Sequence, residues 1–95
     1  MADAARDDAP HHLCLSFEYD TERRATVVER SVRVEVGEID DARSAARVDR
    51  DGRTVRVRIG AADLVALRAG TNTWIRLLDV AERVAETAGR RDGAP

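Results

Sequence analysis

The sequence predicts an α+β fold: a three-stranded antiparallel sheet with two helices on one face, in the order β-α-β-β-α. Three observations carry that prediction. Residues His12–Asp20 alternate between apolar and polar, as a half-buried strand does. Asp51-Gly52 lies between two further alternating runs, the pattern of a two-residue hairpin. Leu64, Leu67, Thr71, Trp74, Leu78, Ala81 and Ala85 recur at steps of three and four, the spacing of one helical face. At 95 residues the chain suits one domain with a small core.

Residues 1–11 read as a disordered leader, small and acidic. In the first strand Leu13, Leu15, Phe17 and Tyr19 share one side, with Cys14, Ser16 and Glu18 on the other. Asp20 or Thr21 then suits an N-cap, and Glu22 the first turn, of a helix on which Ala25, Val28 and Val32 keep one face up to Gly37. Val32–Val36 also alternates, but the cap and the spacing agree on a helix. Glu38–Asp41 reads as a loop.

Strands Arg43–Asp49 and Arg53–Gly60 follow, around Asp51-Gly52. A turn centred there pairs Arg50 with Arg53, Val48 with Val55, Ala46 with Val57 and Ser44 with Ile59, and sets Arg47 opposite Arg56. A right-handed crossover places the last strand in the middle, with the first and second as edges. The second edge is charged; the first, Leu13–Phe17, is not, and so invites self-pairing through Leu13, Leu15 and Phe17.

The final element runs Ala62–Ala88, with Asp63 at its N-cap and Gly89 as its stop. Residues 12–88 then form the domain, and 89–95 a disordered tail. A helix of that length, roughly 40 Å, outruns strands of about 26 Å. Ile75, Leu77, Val80 and Val84 widen its apolar stripe, so it offers more apolar surface than three strands cover.

Composition narrows the function. The formal net charge is −2, which gives the whole chain no excess of cations for nucleic acid. One cysteine excludes an internal disulfide and fits a reducing cytosol; inside a strand it reads as a buried, inert thiol. No run approaches the roughly 18 apolar residues of a membrane span, and no secretory signal is evident, so a soluble cytoplasmic protein is expected. His11 and His12 are adjacent, share no face and have no cysteines near them, so they read as exposed side chains rather than metal ligands. No nucleophile–base set, paired cysteines or phosphate-cradling glycine loop is present. The sequence therefore predicts no catalytic residues, no metal and no cofactor.

Two polar patterns remain. Between Arg43 and Arg58 six arginines accompany only Asp49 and Asp51, and Arg43, Arg47, Arg56 and Arg58 belong to the face opposite the valines. That patch reads either as a solvated outer sheet face or as a phosphate-binding surface that would make the chain a free-standing RNA-binding module. Arg68 and Asn72 lie one helical turn apart beside the apolar stripe, with Gly70 between them. They read either as tolerated surface polarity or as a polar anchor within an interface.

The segment Ala61–Ala81 carries Ala61 and Asp63 before the helix, Leu67-Arg68-Ala69 inside it, Asn72 four residues beyond Arg68 and an apolar continuation. Upstream come an apolar strand with Phe17, a helix ending near Glu35, and Arg43-Ser44 opening the hairpin. Over Leu13–Val84 this pattern resembles the small dimerisation subunit of the KEOPS/EKC complex (the CTAG/Pcc family) in its archaeal form; Gly70 and Thr73 stand where Ala or Ser is commoner. The resemblance implies a non-catalytic homodimer with one extended sheet. It would bind the complex's catalytic ATPase-fold subunit through its helices and support threonylcarbamoyl transfer to the adenosine next to the tRNA anticodon. Val28, Val32, Leu64, Leu67, Arg68, Thr71, Asn72, Trp74, Ile75 and Leu78 are the candidates for the partner surface, the apolar ones dividing between it and the domain core in a way spacing does not assign; Trp74 is the expected hot spot if exposed. Arg43, Arg47, Arg56 and Arg58 would be the tRNA contacts if the arginine patch is a phosphate-binding surface and not a solvated sheet face.

Overall fold

A computed structural model describes the backbone of residues 9–37 and 43–93, and the side chains of residues 9–37 and 43–87. The order is β1 (His11–Glu18), α1 (Glu22–Arg33), β2 (Ser44–Asp51), β3 (Thr54–Ala61) and α2 (Leu64–Gly93). The strands form one antiparallel sheet in the order β1-β3-β2, with the last strand central. Most of the expected leader, and the loop expected over Glu38–Asp41, lie outside the described residues.

Cross-strand register sorts the side chains. Leu13, Leu15 and Phe17 oppose Ile59, Val57 and Val55, which in turn oppose Ala46, Val48 and Arg50. Opposed residues share a face, and both helices cover this one. Ala25, Val28 and Val32 of α1 join Trp74, Leu78, Ala81 and Ala85 of α2 and the sheet's Ala46, Val48, Val55, Val57 and Ile59 in one buried cluster. The spacing argument for both helices is met by that cluster.

The caps explain where the helices begin. Thr21 caps α1, its Oγ1 accepting the Arg24 N–H at 3.0 Å. Asp63 caps α2, its Oδ1 accepting the Ala66 N–H at 2.8 Å. α1 is regular to Arg33 and then tightens, Glu35 N–H bonding Val32 O and Val36 N–H bonding Arg33 O. Gly37, at φ +88°, ends the segment. Gly89 does not stop α2, which continues to Gly93. A helical glycine needs no change of course, and about 1 kcal/mol of propensity does not break so long a helix.

The hairpin turn differs from the expected one. Asp51 pairs with Thr54, so the loop is Gly52-Arg53 rather than Asp51-Gly52. Gly52 has φ +61°, and no described non-glycine residue has positive φ. That is the II′ arrangement, glycine first, whereas the I′ turn would ask for positive φ at Asp51 as well. Arg50 Nη1 donates to Gly52 O at 2.9 Å and holds the turn. The slip of two residues preserves which face each side chain occupies, but Val48 now meets Val57, Ala46 meets Ile59, and Arg56 meets Asp49 instead of Arg47.

Candidate interaction surfaces

The helix-free face of the sheet consists of cross-strand rows: His12–Gly60–Ala45, Cys14–Arg58–Arg47, Ser16–Arg56–Asp49 and Glu18–Thr54–Asp51. Arg56 Nε donates to Asp49 Oδ1 at 3.0 Å, and Arg58 Nε lies 3.9 Å from the other Asp49 oxygen. Arg53 reaches Glu18 at 3.2 Å. Arg43 turns instead to Asp63, tying the start of β2 to the cap of α2. The corrected register therefore interleaves acids with the arginines, leaving only Arg47 and Arg58 as directly opposed like charges. Acidic neighbours hold guanidinium charge that a phosphate would need. Cys14 is exposed on this face, not buried as its strand position suggested.

A second cationic cluster is closed. Glu29 of α1 accepts from Arg50 Nε at 2.9 Å and pairs with Arg33, its side chain only 15% exposed. Burial pushes the Glu29 carboxyl up, but the hydrogen bonds from Arg50 and Arg33 outweigh it and hold the carboxyl below its ordinary value. At the far corner Tyr19 Oη donates to Glu82 Oε2 at 2.7 Å. Burial first, then the bond and the charge of Glu82, keep that phenol protonated well above its usual range.

α2 is open along much of its length. Its inner row, Trp74, Leu78, Ala81 and Ala85, is spent on the core; Trp74 is 2% exposed. Val28, Val32, Trp74 and Leu78, expected at a partner surface, are thus core residues, and Trp74 is unavailable as a contact hot spot. Leu67 and Thr71 are half-buried, the Thr71 hydroxyl donating to Leu67 O at 2.7 Å. Leu64 at 66%, Val65 at 75%, Ile75 at 46%, Val80 at 56% and Val84 at 49% face outward. Because Glu82 meets Tyr19 just past β1, the flank with Leu64, Arg68, Ile75 and Glu82 turns toward β1. On the opposite flank Thr73, Leu77, Val80, Val84 and Thr87 recur at four, three, four and three, the period of a helix–helix seam. Arg68 and Asn72 are both exposed.

The first turns of α2 lie close on the sheet. A cleft of about 410 Å³ opens there, lined in part by Arg43, Ser44, Ile59, Ala66, Gly70 and Trp74. Among the described residues no group of His, Cys, Asp or Glu could hold a metal ion, and no helix is long and apolar enough to cross a membrane. On β1, Leu13 is 37% exposed while Leu15 and Phe17 are half-buried. Spacing had not singled out Val65 or Arg76, both exposed. The signal for them was available: no acid occurs between Leu64 and Leu78.

Fold and surfaces together define a small α+β module that presents a long, partly unpartnered helix on one side and an ion-paired sheet face on the other. A family model described as transcription factor Pcc1 matches residues 12–86. The chain belongs to the Pcc1 family, that of a small non-catalytic accessory subunit of the KEOPS/EKC complex. No curated protein matches it. A chain of the crystal structure of the binary complex Gon7-Pcc1 superposes with a TM-score of 0.74 at 18% identity, covering 85% of this chain and 99% of that one. At that identity the likeness speaks for the fold alone.

Proposed function

We propose that this chain is a homodimeric scaffold of KEOPS that works in the cytoplasm. It binds the catalytic ATPase-fold subunit and so supports threonylcarbamoyl transfer to the adenosine next to the anticodon of tRNA. The observation that carries this reading is the outer surface of α2, where Leu64, Val65, Ile75, Val80 and Val84 stand exposed after the core has used the inner row. Several large apolar side chains on a charged helix mark a surface that another element covers. The 4-3-4-3 row through Val80 and Val84 has the period that facing helices interlock on. That a Pcc1 protein of this fold stands in a binary complex with Gon7 supports reading this chain, too, as one part of an assembly.

For the dimer, β1 is the favoured seam. It is an edge strand with exposed Leu13 and, along its length, no Asp, Glu, Lys or Arg before Glu18. In this reading tRNA is engaged by the assembled complex. The ion pairs of Arg53, Arg56 and Arg58 give no support to the sheet face as a free-standing RNA site.

Light scattering tests the scaffold directly. The 10.5 kDa chain should run at twice its mass alone and shift further with the catalytic subunit; a monomer that captures nothing defeats the reading. Cys14, the sole cysteine, then reports the seam through a nitroxide label. A β1–β1 junction brings the two labelled backbones within roughly 10 Å, whereas a β2–β2 junction separates them by five strand spacings, about 24 Å.

A further inference from the structure

The chain holds two Asp-Gly steps, Asp51-Gly52 and Asp92-Gly93. At such a step the glycine's amide nitrogen can attack the side-chain carboxyl of the aspartate, because no Cβ crowds that nitrogen. A bond forms between the nitrogen and Cγ, the carboxyl OH leaves with the amide proton as water, and a five-membered succinimide results. Water then opens the ring at either carbonyl. Opening at Cγ restores aspartate. Opening at the main-chain carbonyl gives isoaspartate, in which the backbone runs through Cβ and Cγ. The sequence of steps consumes nothing but the water it released.

We propose that Asp51-Gly52 is a site of this modification and that Arg50 guards it, holding the turn in a shape from which the ring cannot close. Closure requires Cβ, Cα and the carbonyl carbon of Asp51 to lie near one plane with the nitrogen of Gly52. Asp51 is the last residue of β2 and pairs with Thr54. At a strand ψ of roughly +135° the Gly52 nitrogen stands well out of that plane. Asp51 is exposed, so its conformation, not its burial, is what opposes the reaction. Rotating Asp51 into the reactive shape swings the whole turn, including the Gly52 carbonyl oxygen. That oxygen accepts from Arg50 Nη1 at 2.9 Å. Arg50 is anchored in its turn by Glu29 of α1, whose Oε1 accepts from Arg50 Nε at 2.9 Å. The clamp runs from helix to side chain to turn, and Arg50 acts in it as a positioning residue.

Isoaspartate at this position would matter to the fold. It adds a methylene to the backbone between two strands whose II′ loop fits at a length of two residues. The pairing of Asp51 with Thr54 would be lost first, then that of Asp49 with Arg56, at the hairpin end of the central strand. The clamp therefore sets how long the hairpin keeps its register.

The test is to age the full chain in warm buffer near neutral pH and to quantify isoaspartate at residue 51 by peptide mapping, which separates it from residue 92. Each variant is compared with itself unfolded in urea, so that effects of the neighbouring side chain on the chemistry cancel. The folded wild type should accumulate isoaspartate at least about tenfold more slowly than its unfolded chain, because the reaction waits on local opening of the hairpin. For Arg50→Ala that protection should shrink at least about threefold while its circular dichroism stays that of the wild type. Glu29→Gln, which loosens only the far end of the clamp, should fall between the two, and it decides the question if Arg50→Ala does not fold. Equal rates in the folded and unfolded wild type overturn the proposal, as does an unfolded chain that forms no isoaspartate at residue 51. Folded variants protected as well as the wild type overturn the role of Arg50.

Discussion

Arg56 and Arg68 look alike in the linear sequence, each an arginine flanked by aliphatic residues. In the fold they belong to opposite kinds of surface. Arg56 lies in a row with Asp49, within a face where Glu18, Asp49 and Asp51 offset Arg47, Arg56 and Arg58. Arg68 lies on a helical flank where no acid among the described residues pairs with it. The first surface is satisfied internally, each exposed pair there worth about 0–1 kcal/mol. The second leaves both its charge and its apolar neighbours for something outside. Density of arginine is therefore a poor guide to where this chain meets a partner. What discriminates is whether the fold has already given each group a counterpart.

That contrast is tested most strongly on the closed side. Trp74 lies on the same helix as Arg68 and Arg76, but at 2% exposure it belongs wholly to the core. Trp74→Ala should cost about 3–5 kcal/mol, much of the stability of a domain this small. Chemical denaturation should show the transition moved to low urea or lost, and partner capture would vanish only because the fold does. If Trp74→Ala unfolds like the wild type and still fails to capture the partner, Trp74 is a contact after all and the division between inner and outer rows is wrong.

A smaller effect is expected at the Glu29 cluster, the closed counterpart of the open arginines. Removing its charge with Glu29→Gln should cost about 1–2 kcal/mol near neutral pH, as charge-assisted hydrogen bonds from Arg50 and Arg33 weaken. The pH dependence has a definite sign. Folding lowers the carboxyl's pKa, so its contribution is complete above the ordinary value of 4.5 and disappears as pH falls below it through the folded value. Urea midpoints at about pH 7 and about pH 3 should thus differ more for the wild type than for Glu29→Gln. Equal acid sensitivity would mean that the cluster is loosely solvated and not closed.

Much of this architecture is legible in the sequence. Thr21 and Asp63 announce the helix starts by chemistry that acts within one turn, and the periods two and 3.6 mark the sheet and helices because each buried face is continuous. The II′ turn was harder: Asp-Gly favours I′ locally, and only the pairing of Asp49 with Arg56 and the Arg50 bond to Gly52 O show the other register to be better satisfied. Trp74 illustrates a different limit. Spacing finds every residue on an apolar stripe but does not say which edge of a stripe wider than the core remains outside. That depends on how far the sheet extends beneath the helix, a property of the assembled layers. Cys14 was legible too: it shares the polar side of β1 with Ser16 and Glu18, and only the usual burial of free cysteine argued for the covered face.

The smallest effect concerns how tightly the two layers meet. Gly70 interrupts α2 where it passes over the sheet, and a glycine there suggests that a side chain would not fit. A methyl built on Gly70 meets Ile59 Cγ2 at 3.4 Å and Ser44 Oγ at 3.6 Å, contacts of ordinary length. Nothing needs to move for it, and the adjoining cleft is lined by the same residues. Gly70→Ala should therefore recover the helix propensity that glycine forfeits, about 1 kcal/mol, and raise the melting temperature by several degrees. Because the new methyl points at the sheet and away from the outer surface of α2, capture of the catalytic subunit should be unchanged. A destabilised Gly70→Ala would show that α2 rides closer to β2 than those distances indicate, and that its open outer face is held in place by a contact with no room to spare.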